Sequence, residues 1–127
     1  MTKKLKHSIE NLYKDFEKYK ATDMTGNPLY EDLSEWNQDL LSKPLRELNE
    51  DNLSRFTGKV LTSWGSVNDY KHFLPRIFEL TAYLRTPYEV WIVLQKLILA
   101  EFQNWADEEK NGIYGFMVAL WECIVNH

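Results

Sequence analysis

With one cysteine, Cys123, the chain cannot form an intrachain disulfide, which fits a reducing compartment. No apolar run approaches the ~20 residues of a membrane span. The longest candidate, Val90 to Ala100, is interrupted by Gln95 and Lys96. The N-terminus has lysines but no apolar stretch followed by a small-residue cleavage site, so the expectation is a cytoplasmic protein without a secretory signal. Five scattered glycines make no phosphate-binding loop, dinucleotide fingerprint or nucleophile elbow. Three histidines and one cysteine, widely separated, are too few for a structural zinc site, and neither metal nor cofactor is expected. Positive charge is not in excess: the net charge is −4, so nucleic-acid binding has no global electrostatic support.

What the 127 residues do contain is apolar surface. Hydrophobic residues make up 44% and aromatics 14%, too much for a disordered chain and enough for one domain with its own core. The charge is uneven. Residues 1–20 carry six lysines against three carboxylates, a balance of +3, and the remainder nine basic against sixteen acidic side chains, a balance of −7. The organisation expected is a basic amphipathic helix over 1–21, packed on or flanking an acidic helical body over 29–127. A membrane-surface role for the basic helix is a third and weaker option.

Helical spacing dominates the pattern. Leu5, Ile9, Leu12, Phe16 and Tyr19 form one stripe. The turn-forming residues 23–28 precede a second helix near 29–41. Asn49 can cap a third running to about Ser63, closed by Gly65. Ser66 and Asp69 resemble a capping box, and Pro75 predicts a break or kink near Phe73 with a new helix from Leu74. Thr86-Pro87-Tyr88-Glu89 reads as a helix start, with Val90, Trp91, Leu94, Leu97 and Ile98 inward. The last helix spans 107–125 on Ile113, Phe116, Met117, Leu120 and Ile124. No segment alternates as a strand. The fold expected is all-α, with five to seven helices in a single-domain irregular bundle or in repeat-like stacked pairs. The second option rests on Leu61 and Trp64 matching Phe102 and Trp105 at an offset of 41.

Asp69, His72 and Arg76 lie at helical spacing. An Asp-x-x-His pair could orient an imidazole as a base, or supply half of a bundle metal site, but the matching Glu-x-x-His motifs are absent. The bland alternative has Asp69 capping a helix and His72 satisfying a local bond. Cys123, near a helix C-terminus whose partial negative charge disfavours a thiolate, reads as packing. Eighteen aromatics exceed what a small helical core requires, which makes Trp36, Trp64, Trp105 and Trp121 candidate surface anchors.

The segments Pro44 to Leu48, Trp64 to Leu80 and Trp105 to Glu109, above all His72-Phe73-Leu74-Pro75-Arg76, resemble a family of small bacterial all-helical proteins of uncharacterised activity. The resemblance covers about residues 40–124. Some members carry cysteines in the loop before the second helix. Here that loop reads Gly26-Asn27-Pro28-Leu29-Tyr30, so the resemblance brings no thiol-based role.

Two functions follow as expectations. The first is a non-enzymatic helical interaction module that binds another protein through exposed aromatics, one version being an immunity-type inhibitor that covers a basic toxin. The second is a small-ligand or metal-binding enzyme centred on Asp69, His72 and Arg76. The binding residues expected are Trp64, Asp69, His72, Arg76 and Trp105. Convergence of the polar three on a concave pocket would favour the enzyme, and an exposed apolar patch the module.

Overall fold

The periodicity condenses into six α-helices in the computed structural model, which describes residues 2–21, 24–84 and 87–126, without the side chains at 84 and 87–90. They are α1 (Lys3–Asp15), α2 (Leu33–Leu41), α3 (Glu50–Lys59), α4 (Val67–Leu84), α5 (Pro87–Leu99) and α6 (Asp107–Val125), with short 3-10 turns at Leu45–Glu47 and Phe102–Asn104. No strand occurs among the described residues, so the fold is all-α, a helical bundle.

The basic N-terminal helix is shorter than its stripe implied. Thr2 caps it, its hydroxyl accepting from the Leu5 amide at 3.1 Å, and Phe16 closes it. Phe16 and Tyr19 still reach inward, because the chain turns after Asp15 rather than because the helix continues. Phe16 is buried, with its ring edge-on to Trp105. α1 runs antiparallel along α6: Lys4 pairs with Glu122 near one end, and Lys18, just beyond the helix, meets Glu108 at the other. Leu5, Ile9 and Leu12 are buried on α1, and Ile113, Phe116 and Leu120 on α6. Burying each such side chain contributes roughly 1.5–3 kcal/mol. At Gly112 a Cβ would stand 2.8 Å from an Asp15 carboxylate oxygen, so glycine there leaves room for that side chain. With its apolar stripe spent against neighbouring helices, α1 cannot lay that stripe in a membrane surface while folded.

The second helix starts at Leu33, not near Leu29. Asn27 holds a turn, its side chain accepting from the Leu29 amide and its carbonyl from the Tyr30 amide. Asn49 caps α3 as expected, through reciprocal 2.9 Å bonds with Asn52. α3 ends at Lys59, earlier than Ser63. Leu61 then takes a positive φ of 71° and Gly65 one of 89°, a conformation that glycine adopts at little steric cost. Buried Lys96 of α5 donates to the carbonyls of Gly58 and Val60, satisfying groups that a helix end leaves open.

The break expected near Phe73, with a new helix from Leu74, does not occur. α4 is a single helix of 18 residues that runs through Pro75. Proline removes one internal hydrogen bond, the one its amide would have given to the Lys71 carbonyl. Phe73, Leu74, Ile77 and Phe78 on both sides of it are buried, so both halves of α4 are held on one core. The helix start at Pro87 is present, whereas the proposed Thr86 cap and the burial of Val90 lie outside the described residues. The 41-residue similarity corresponds to a shared local plan. α3 and α5 each give way to a residue of positive φ, Leu61 or Glu101, then a buried Trp64 or Trp105, then a long helix.

Candidate functional site

The residues singled out from sequence do not assemble. Trp64 is 2% exposed, and its indole N–H donates to Asn37 Oδ1 at 2.8 Å. Trp105 is 8% exposed and donates to the Ala100 carbonyl. Both are core residues. Asp69 is spent on the capping box. Its Oδ2 accepts from the Ser66 amide at 2.9 Å, while its amide donates to Ser66 Oγ at 3.3 Å. Arg76 donates to the Leu48 carbonyl at 2.7 Å and to Glu79 at 2.7 Å, and Glu79 also accepts from the Tyr13 hydroxyl. Burial, then the neighbouring Glu79, pushes the Tyr13 phenol well above its usual range.

Of the five, only His72 lines the open space of about 460 Å³ between α1 and the start of α4, with Lys14, Lys20 and Arg46 also on its walls. His72 Nδ1 lies 2.9 Å from the Tyr19 carbonyl. A carbonyl only accepts, so Nδ1 carries the hydrogen, and in the neutral ring Nε2 keeps the lone pair. Among the described residues no carboxylate bonds to this imidazole: the nearest in sequence, Asp69, is committed to Ser66. Arg46 is likewise committed, bidentate to Glu10 at 2.9 and 2.8 Å and stacked 3.7 Å from the Tyr13 ring centre. No group of three metal-ligating side chains occurs among the described residues.

A buried ionic knot escaped the sequence reading. Glu109 is fully buried, yet it accepts from the Tyr19 hydroxyl and from Lys71 Nζ at 3.0 Å, with Lys18 at 3.4 Å. Lys71 also donates to Tyr19 Oη at 3.1 Å and lies 4.4 Å from the Trp105 ring centre. Burial alone would raise the Glu109 carboxyl; the bonds from Tyr19 and Lys71 outweigh it and hold the group below its usual range. The signal was available. Glu109 occupies the stripe of Ile113, Phe116 and Leu120, and Lys71 that of Val67, Leu74 and Phe78, so each is a charge where helical spacing calls for an apolar residue. The knot fastens residue 19 to α4 and α6.

The largest departure from expectation lies on α5. Trp91, Leu94 and Ile98, expected inward, face out, with Trp91 66% and Ile98 71% exposed; the buried side is Val93, Lys96, Leu97 and Ala100. α5 is apolar on most of its circumference, so spacing alone could not choose the inward face. α6 behaves alike. Ile113, Phe116 and Leu120 point inward as expected, whereas Ile124 is exposed, and Tyr114, Val118, Trp121 and Val125 make a second apolar stripe on the outer side. Trp121, 66% exposed, is the one of the four nominated tryptophans that is well exposed at the surface. Trp36 is half-buried against Tyr30 and Trp64. No described helix is long and apolar enough to cross a membrane. No known protein family matches this chain, and no curated protein or solved structure is significantly similar to it.

Proposed function

We propose that this protein is a non-enzymatic helical interaction module that meets another protein through the outer sides of α5 and α6. One observation carries the reading: each helix is apolar on both sides, with one side packed in the core and the other left in solvent around a two-thirds-exposed tryptophan. A helix that is hydrophobic all round belongs in a buried environment. Leaving one side bare costs solubility, and a contiguous exposed apolar patch marks a contact surface in the absence of another reason for it. Tryptophan is the residue most often found at the energetic centre of such surfaces. The acidic body suits a basic partner, as an immunity-type inhibitor would meet, because opposite charge speeds encounter.

The enzyme alternative has less support. Asp69 and Arg76 are engaged by backbone and by Ser66 and Glu79, leaving His72 alone in its cleft. Affinity purification with the intact chain tests the choice. A partner held by the wild type and by His72→Ala, but lost by Trp91→Glu with an unchanged circular-dichroism spectrum, supports the module. A partner or activity lost with His72→Ala and kept with Trp91→Glu overturns it.

A further inference from the structure

A surface cavity of about 220 Å³ lies between α3, α4 and α5, lined by Leu53, Ile77, Leu80, Ile92 and Val93. Thr57 and Thr81 also line it, but their hydroxyls bond within their own helices. Thr57 donates to the Leu53 carbonyl at 2.8 Å and Thr81 to that of Ile77 at 2.7 Å, which leaves their methyl groups to the cavity. Gly58 completes the α3 wall. Its φ is not positive, so it is not a glycine that the backbone requires. A Cβ there would meet nothing within 4 Å, so neighbouring side chains do not require it either. Glycine weakens a helix relative to alanine, and what it provides here is space.

The charge is confined to one end. Glu50, in the first turn of α3, is the one ionisable side chain on the described walls, and no described residue pairs with it. Asp51 adds a second carboxylate beside it, and the two exceed the half positive charge of a helix N-terminus. A cation stands at the other end. Lys96 donates to the Gly58 carbonyl at 3.2 Å, and Gly58 is about 12 Å from Glu50 along α3.

We propose that this cavity binds a small apolar amine, with its hydrocarbon part against the threonine methyls and Gly58 and its ammonium at Glu50. An apolar cavity of about 150 Å³ takes up benzene, so this one accommodates about nine non-hydrogen atoms: an aromatic ring, a two-carbon arm and a nitrogen. The carboxylate at one end and Lys96 at the other fix which way the amine lies. Trp91 and Trp121 take no part in the walls, so the proposal stands apart from the interaction reading.

Phenethylamine is the probe, compared with uncharged 2-phenylethanol and anionic phenylacetate. An NMR titration of the full chain should show saturable shifts at residues 50–58, 77–81 and 92–93, with a Kd of about 1 mM for the amine. The alcohol should bind about threefold more weakly, since a solvent-exposed ion pair contributes little more than that, and phenylacetate more weakly still. Glu50→Gln should bring amine and alcohol level. Gly58→Leu should weaken all three about tenfold without lowering Tm, because its Cβ enters open space. Ile92→Phe fills the same cavity from α5 and serves if the α3 variant fails to fold. Absence of saturable shifts at about 20 mM amine, shifts confined to other residues, equal binding of amine and alcohol by the wild type, or binding indifferent to the filling variants overturns the proposal.

Discussion

Lys71→Met tests the buried knot. In the folded protein Lys71 Nζ stands 3.0 Å from Glu109, whose side chain is 1% exposed. At that distance the attraction is about 5 kcal/mol at an effective dielectric of 20. Three terms reduce the net loss. Methionine avoids the desolvation of the buried ammonium, it refills most of the volume over Trp105, and half-exposed Lys18 at 3.4 Å remains to share the charge. Removing one partner of a buried pair leaves an uncompensated charge, and the expected cost is about 3 kcal/mol at pH 7, equivalent to a fall in Tm of about 10 °C. The pH dependence carries the sharper test. In the wild type the Glu109 carboxyl is held below its unfolded value, so its contribution is present above that value and is lost as pH falls through the depressed pKa. Without Lys71, burial dominates and the pKa rises, so the variant is penalised at neutral pH and relieved as Glu109 takes up a proton. Urea unfolding at pH 7 and pH 4.5, followed by circular dichroism, should therefore show a deficit that shrinks on acidification. A loss under about 1 kcal/mol at pH 7, or one equal at both pH values, refutes the reasoning.

Further outcomes follow from single bonds. Tyr70 buries a hydroxyl with no hydrogen-bond partner among the described residues, so Tyr70→Phe should stabilise the fold by about 1 kcal/mol in chemical denaturation. Trp64→Phe keeps the ring in the core but leaves buried Asn37 Oδ1 without the indole donor, and should lower stability by about 2 kcal/mol. Asp69→Ala removes the side-chain half of the α4 cap and should cost about 1 kcal/mol without altering partner binding. A loss of binding there would return Asp69 to the candidate site.

The elements most legible in sequence were those with local causes. The Asn49 cap, the Ser66–Asp69 box and the span of α6 each follow from a few adjacent residues, and each is present. The elements misjudged depended on what lies across the fold. Phe16 and Tyr19 continued a helical stripe while leaving the helix, because they reach Trp105 and Glu109 by a turn. Pro75 reads as a break, yet α4 continues, because burial on both sides outweighs one lost hydrogen bond. The candidate site was half legible for the same reason. Capping explains Asp69 from sequence, but no spacing rule says that Arg76 would find the Leu48 carbonyl or that His72 would find that of Tyr19.

By itself the sequence determined that this chain folds as helices around one apolar core, since side-chain periodicity and caps act within a turn or two of backbone. Only the tertiary structure decided which side of α5 and α6 is buried. Both helices are apolar nearly all round, so burial of either side yields similar hydrophobic stabilisation, and the choice falls to their neighbours: α1 claims one side of α6, and α3 and α4 one side of α5. The sides left over hold Trp91 and Trp121, the surface on which the proposed function stands.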